Sequence, residues 1–128
     1  MHGGYLPDYR GNHCFFFALY NCDFNKIGST IHSINTGIDK GDIISHVVPD
    51  IFKEDNPETL YSKAEKEAIH KLSQLINTYE QGEEFPKLQQ QFYGKLYKTR
   101  DRGLRDDIMY FVKRCIGRYN NLPSEKKV

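Results

Sequence analysis

The sequence contains no tryptophan, only three cysteines and no excess of charge of either sign. No stretch approaches the roughly 18 apolar residues that span a membrane, and the start lacks the basic and apolar segments of a signal peptide. We therefore expect no membrane partner and a cytoplasmic location. With 18 Lys and Arg against 17 Asp and Glu, the chain has no overall field that attracts nucleic acid.

The cysteines are odd in number and irregularly spaced, which favours reduced thiols over a disulfide framework. His2, His13, Cys14 and Cys22 lie close together in sequence, but their spacing matches no zinc signature. We therefore predict no metal site and interpret the thiols as buried structural groups. The chain also lacks a phosphate-binding glycine loop, and the basic residues between positions 95 and 105 alternate with acidic ones, as on a solvated surface.

The pattern of the 128 residues predicts one α/β unit with two or three strands and about three helices. Glycine and proline predict a loop over 1–11, followed by a buried helix over 14–20 with Asn12 as its N-cap. β-Branched residues predict neighbouring strands at 27–34 and 43–51, and a short strand is expected within 93–98. The tail 122–128 is expected to fray.

Two further helices are predicted from caps and apolar spacing. Asn56 followed by Pro57 marks the start of a helix that runs to about Tyr79, with Leu60, Ala64, Ala68, Leu72, Leu75 and Ile76 on one face. A last helix is predicted from Arg105 to about Gly117, with an apolar side formed by Ile108, Phe111, Val112, Cys115 and Ile116.

Four titratable residues adjoin glycine-rich turns: His2, Asp8, His32 and Asp39. Asp39 lies between Gly37 and Gly41 at the end of a strand, where α/β proteins commonly bind ligands. A carboxylate beside an imidazole can accept a proton and stabilise an oxyanion in an acyl-type transfer. A histidine in a strand equally fits a core or surface position, and an Asp between glycines equally fits a turn.

Three segments, HGGYLPDYRG, IGSTIH and GIDKGDII, together resemble the formyltransferase superfamily that uses 10-formyltetrahydrofolate. Its members include glycinamide ribonucleotide, methionyl-tRNA and nucleotide-sugar N-formyltransferases. The order and spacing agree throughout residues 2–48. The matching positions are His2, Leu6, Pro7, Arg10, Gly11, Gly28, Thr30, His32, Asp39 and Gly41.

The resemblance implies a role for each of these groups. His2 would stabilise the oxyanion as an amine attacks the formyl carbon, and Asp39 would accept the amine proton. His32 would hold Asp39 in place. Residues that would border the folate are Asn35, Thr36, Gly37, Ile38 and Asp39. The substrate-binding positions would be Gly4, Tyr5 and Arg10.

The family also has an Asn two positions before the His, and a nucleotide-fold half ahead of this motif. The resemblance therefore implies a partial, Rossmann-like formyltransferase domain that lacks its N-terminal half. Residues 1–80 would be the C-terminal half of the catalytic domain, and 81–128 an extension with a strand and a helix. An unpaired sheet edge would result, so we expect a complementary N-terminal half or a homo-oligomer as partner.

The function implied is formyl transfer from 10-formyltetrahydrofolate to a small-molecule amine. An amino sugar on a nucleotide is favoured as acceptor, because the C-terminal region is short for a tRNA-binding barrel; nucleic acid enters only if a tRNA is the acceptor. The alternative is a non-catalytic remnant, an interaction module that keeps part of the fold. A third possibility is a hydrolase that uses Asp39 and His32, which only the presence of a carboxylate and an imidazole supports.

Overall fold

The computed structural model describes residues 1–125 and confirms the predicted α/β class. The described residues form three helices and four short strands, and single 3-10 turns lie at Phe24–Lys26 and Thr99–Asp101. The elements are β1 (Tyr9–Gly11), α1 (Cys14–Tyr20), β2 (Ser29–His32), β3 (Ile43–Val47), α2 (Pro57–Glu80), β4 (Lys95–Tyr97) and α3 (Leu104–Cys115).

The strands form two separate pairs. β2 and β3 are antiparallel, as expected for neighbours joined by a short glycine-containing turn, and Ser29 pairs with Val47. β1 and β4 are parallel, with Tyr9 opposite Lys95 and Gly11 opposite Tyr97. The prediction that 1–11 is entirely loop is therefore wrong, because β4 supplies a pairing partner that is distant in sequence.

Helix α1 forms the centre of the core, as its uniformly apolar sequence predicts. Every residue from Cys14 to Leu19 is buried, and the ring of Phe17 stacks on that of Tyr97 with centroids 4.2 Å apart. The predicted cap is displaced by one residue: His13, with φ of 55°, is the N-cap. The side chain of Asn12 instead donates to Thr99 Oγ1 at 2.9 Å, next to the β1–β4 pair.

Helix α2 begins with the predicted cap. The Asn56 side chain accepts from the Thr59 amide at 2.8 Å, and Thr59 Oγ1 accepts in return from the Asn56 amide at 2.9 Å. Its first half buries Leu60, Ala64 and Ala68 completely. Its second half leaves Ile76 46% exposed. A helix of 24 residues is about 36 Å long and therefore extends beyond the ends of the short β2 and β3 strands.

Helix α3 confirms the predicted helix, but its apolar side faces solvent. Phe111 and Ile116 are each 66% exposed, and no residue of this helix is buried. The opposite side makes the contacts: the ring of Tyr110 lies 5.6 Å from that of Phe16, and the guanidinium of Arg114 donates to the carbonyls of Asp55 and Lys53, each at 2.7 Å. Lys113 adds a bond to the Tyr20 carbonyl at 2.6 Å.

The C-terminal tail is attached to the segment before α2. The Lys53 amide donates to the Pro123 carbonyl at 2.9 Å, and the Ser124 hydroxyl donates to Glu54 at 2.6 Å. Fraying was expected over 122–128; residues 126–128 lie outside the described range. Among residues 1–125, no helix combines the length and apolar character needed to cross a membrane.

Candidate active site

Three residues predicted to be catalytic lie around one carboxylate oxygen. His32 ends β2, Asp39 lies in the turn between β2 and β3, and His2 is joined to β2 by paired backbone bonds with Thr30. Asp39 Oδ1 is 3.4 Å from His2 Nδ1 and 3.8 Å from His32 Nε2. The remaining candidate, Asp8, is paired with Lys26 Nζ at 2.5 Å.

The hydrogen bonds of the two imidazoles define which nitrogen faces the carboxylate. His2 Nε2–H donates to the Tyr9 carbonyl at 2.9 Å, and His32 Nδ1–H donates to the Ser33 carbonyl at 2.7 Å. A carbonyl only accepts, so in each neutral ring the unprotonated nitrogen points at Asp39 Oδ1. The cluster therefore has a place for one further proton between Oδ1 and an imidazole.

The second carboxylate oxygen of Asp39 is already occupied. Asp39 Oδ2 accepts from the backbone amide of Gly11 at 3.0 Å, which leaves Oδ1 as the oxygen available for proton transfer. Asp39 has φ of 53°, a left-handed conformation that Asp tolerates better than most residues. The turn therefore places the carboxylate with one oxygen anchored and the other directed toward the two rings.

Burial controls the electrostatics around His2. Its side chain is 7% exposed, and desolvation lowers its pKa below the ordinary value, although the bond to Tyr9 and the charge of Asp39 oppose the shift. Cys14 Sγ lies 3.7 Å from His2 Nε2. Burial raises the pKa of that thiol to about 12, so Cys14 is a protonated packing group, as predicted, whereas Cys115 is exposed.

The loop expected to border a folate is largely exposed. The Asn35 side chain accepts from the Gly37 amide at 3.0 Å and shapes the turn, Thr36 is exposed, and Ile38 is 62% exposed. Ile34, which precedes the loop, is 95% exposed. The loop thus presents exposed apolar side chains beside the Asp39 carboxylate.

The residues predicted to bind substrate contact other parts of the chain. Gly4 is buried and its carbonyl accepts from Thr30 Oγ1 at 2.7 Å, while Tyr5 stacks on His46 with centroids 4.0 Å apart. Arg10 is 8% exposed, and its guanidinium donates to the carbonyls of Ile38 at 2.9 Å and Gly94 at 3.3 Å. The guanidinium therefore supports the turn that carries Asp39.

Two contributors to the site were not identified from the sequence. The Gly11 amide anchors Asp39, and the Gln90 side chain donates to the Asp39 carbonyl at 2.9 Å and to the Gly41 carbonyl at 2.7 Å. Gln90 is the middle residue of three consecutive glutamines, so no periodicity or spacing distinguishes it. Within the part of the chain that the structure describes, no group of three His, Cys, Asp or Glu side chains is placed to hold a metal ion.

Two nearby cavities do not contain the His2–Asp39–His32 cluster. One, of about 260 Å³, lies between α1 and α2 and is lined by Phe15, Tyr61 and Arg102 among others. The other, of about 610 Å³, lies along β3 and α2 beside Ser45 and Lys66. The cluster itself is largely buried beside the exposed loop, with His2, His32 and Asp39 side chains 7%, 13% and 17% exposed.

The chain is similar in sequence to known formyltransferases. The family model described as Formyl transferase matches residues 1–76. The methionyl-tRNA formyltransferase of a Nitratiruptor species is 34% identical over 80 residues, which make up 62% of this chain and 26% of that relative.

Solved structures show the same fold. A 4-N formyltransferase from Francisella tularensis aligns with a TM-score of 0.70 at 24% identity, over 85% of this chain and 49% of that one. The N-formyltransferase from Helicobacter canadensis, solved with folinic acid and dTDP-3-aminofucose, aligns with a TM-score of 0.58 at 22% identity, over 98% of this chain and 50% of that one.

The chain thus spans about half the length of these solved relatives and about a quarter of the curated one. The family match extends over more than half of the 128 residues and contains His2, His32 and Asp39. On this match, the chain belongs to the formyl transferase family.

Proposed function

We propose that this chain carries the catalytic centre for transfer of a formyl group from 10-formyltetrahydrofolate to a small-molecule amine. The observation that supports the proposal most directly is the convergence of His2 and His32 on Asp39 Oδ1, at 3.4 and 3.8 Å. Such a cluster can accept a proton from an attacking amine and return it to a leaving nitrogen.

In the proposed mechanism, each group of the cluster has one task. Asp39 Oδ1 accepts the proton that the amine loses as its nitrogen bonds to the formyl carbon, and later delivers that proton to the departing nitrogen. His2 Nδ1, when protonated, donates to the formyl oxygen as negative charge develops there. His32, when its Nε2 is protonated, holds Asp39 in place by charge attraction at 3.8 Å. Because Asp39 returns the proton that it takes up, no net proton is gained or lost over the cycle.

The residues of the loop fit a folate donor. The bound donor supplies the formyl group, while Asn35, Thr36, Gly37 and Ile38 border its ring system. The exposure of Ile38, together with an Asn35 side chain that already stabilises the turn, supports this placement. The folinic acid bound to the Helicobacter canadensis enzyme is a related formyl folate.

We propose an amino sugar on a nucleotide as the acceptor. The Helicobacter canadensis enzyme was solved with dTDP-3-aminofucose, which is such a molecule, and its alignment covers 98% of this chain. A tRNA acceptor is the competing assignment, because the relative with 34% identity is a methionyl-tRNA formyltransferase. Competition between the two acceptors for the same donor distinguishes them. The cytoplasmic location stays a prediction.

We further propose that residues 1–80 form the C-terminal half of the catalytic domain and 81–128 its extension. The family match over 1–76 supports the first boundary. A complementary N-terminal half, or a second copy of the chain, is the proposed partner. The exposed apolar residues of α3, among them Leu104 at 76%, supply surface that such a partner can cover.

The alternative function is a non-catalytic interaction module. The same exposed face of α3 favours it, because contiguous apolar residues on a surface mark association sites. Titration with folinic acid separates the two functions: an enzyme half binds the folate alone or after a complementary N-terminal half is added, whereas an interaction module binds it in neither case.

The decisive experiment replaces Asp39 by Asn and measures formyl transfer under single-turnover conditions. Asn keeps the shape and can still accept from the Gly11 amide, but it cannot take up a proton. Loss of a general base costs about 10²- to 10⁴-fold in rate. Asp42→Asn, in the same turn but outside the cluster, is the control and should retain the wild-type rate. Equal rates for both variants would refute the role of Asp39.

A further inference from the structure

The side chain of Gln90 is buried against the turn that carries Asp39. It is 7% exposed, whereas its neighbours Gln89 and Gln91 are both exposed. Backbone bonds hold the chain on either side of it: Leu88 exchanges two 2.8 Å bonds with Ile43, and the Gly94 amide donates to Pro7 at 2.8 Å. The side chain of the middle glutamine is therefore buried against the turn, while the side chains of the outer two are exposed to solvent.

The contacts of Gln90 define how its carboxamide is oriented. Both neighbouring groups are backbone carbonyls, those of Asp39 at 2.9 Å and Gly41 at 2.7 Å, and carbonyls can only accept. The NH₂ group must therefore face the turn and use both hydrogens there. Its Oε1 is buried with no hydrogen-bond partner within residues 1–125. The two donated bonds are thus the side chain's whole polar contribution to the described structure.

The two bonds from Gln90 are part of a larger set of hydrogen bonds to the turn that carries Asp39. Arg10 donates to the Ile38 carbonyl, and the Gly11 amide donates to Asp39 Oδ2. Gln90 holds the two carbonyls at and after Asp39, whose φ of 53° needs support from its surroundings. Without those bonds, the turn has fewer constraints on the direction in which Oδ1 points.

We propose that Gln90 is a positioning residue for Asp39: by binding the carbonyls of Asp39 and Gly41, it fixes the carboxylate relative to His2 and His32. The effect of this positioning on catalysis rests on the proposed formyl transfer. Gln90 lies outside the family match over 1–76, so the C-terminal segment completes a site whose reacting groups all come from the first 39 residues. Displacement of a catalytic group by about 1 Å costs about 10²-fold in rate.

The test compares Gln90→Met, which keeps the size but has no donors, with Gln89→Met and Gln91→Met at the exposed neighbours. The first readout needs no activity: the Gly11 amide resonance in ¹⁵N-labelled protein reports its bond to Asp39. We expect this resonance to move in Gln90→Met and to stay in place in both controls. An unchanged Gly11 resonance in Gln90→Met would overturn the proposal.

The second readout is the kinetics of formyl transfer. We expect kcat to fall by about 10- to 100-fold in Gln90→Met, with KM for the folate donor unchanged and no change in either control. A rise in KM at constant kcat would contradict positioning. If Gln90→Met does not fold, Gln90→Glu replaces it: an ionised carboxylate has nearly the same shape and no donors, so the same Gly11 shift and loss of kcat are expected. If the wild type transfers no formyl group even after a complementary N-terminal half is added, the proposed function fails, and the Gly11 resonance still decides the role of Gln90.

Discussion

Replacement of Gly41 by Ala tests the close packing beneath the turn that carries Asp39. An added Cβ would lie 1.6 Å from the Ser33 carbonyl oxygen and 2.6 Å from its carbon. Non-bonded heavy atoms prefer about 3.5 Å, so the backbone would have to separate by about 2 Å. Ser33 cannot yield easily, because its amide donates to the Asp42 carbonyl and its hydroxyl accepts from the Asp42 amide, each at 2.9 Å.

The expected cost of Gly41→Ala follows from that clash. Overpacking typically destabilises a protein by about 1–3 kcal/mol, and here the obstacle is backbone rather than a mobile side chain. Gly37→Ala is the matched control in the same turn. The three atoms nearest to its added Cβ all belong to the side chain of Lys40, and the closest, Cδ at 2.4 Å, can rotate away. We expect the control to lack this cost and to change the free energy of unfolding by no more than about 1 kcal/mol.

The assay is urea denaturation followed by circular dichroism, with the two free energies of unfolding compared directly. Glycine-to-alanine changes also restrict the unfolded chain by about 0.4–1 kcal/mol, and this effect cancels in the comparison. Displacement of the turn should also move the Gly11 amide resonance in Gly41→Ala. Equal stability of the two variants would refute the close approach of Gly41 to Ser33, and with it the geometry assigned to this turn.

Two further predictions concern a histidine and a helix cap. The folded state binds a proton at His2 less tightly than the unfolded state does, so the free energy of unfolding should fall as pH drops from 6.5 toward the lowered pKa of His2. His2→Gln should flatten this pH dependence, whereas the exposed His70→Gln should not. Urea midpoints measured as a function of pH check both expectations. Asn56→Ala removes the hydrogen bond to the Thr59 amide and should lower the free energy of unfolding by about 0.5–2 kcal/mol in urea denaturation. The exposed Asn77→Ala should not lower it by this amount. Equal losses in the two variants would argue against the cap.

Features encoded by neighbouring residues were predicted well. The Asn56–Pro57 start of α2 is confirmed, because a cap acts over three or four residues. The all-apolar sequence of α1 predicted its burial, and the β-branched segments predicted the β2–β3 pair across a short turn. In each case the stabilising contacts lie within the segment or beside it, so the pattern of residues is sufficient.

Features that depend on distant segments were missed. The strand Tyr9–Gly11 exists because Lys95–Tyr97 pairs with it, and no pattern within 1–11 indicates that partner. The amphipathic spacing of α3 correctly indicated a helix, but its apolar side does not face the core. Arg114 and Lys113 bind backbone carbonyls elsewhere and turn the opposite face inward.

By itself, the sequence determined the helices, the hairpin and the motif that links His2, His32 and Asp39 to the formyl transferase family, because caps, periodicity and motif spacing are local properties. Only the tertiary structure decided that Asp39 Oδ2 is anchored by Gly11, that Arg10 supports the turn and that Gln90 rather than its neighbours is buried beneath it. Such contacts join residues that are far apart in the chain, so their energies appear only once the chain has folded.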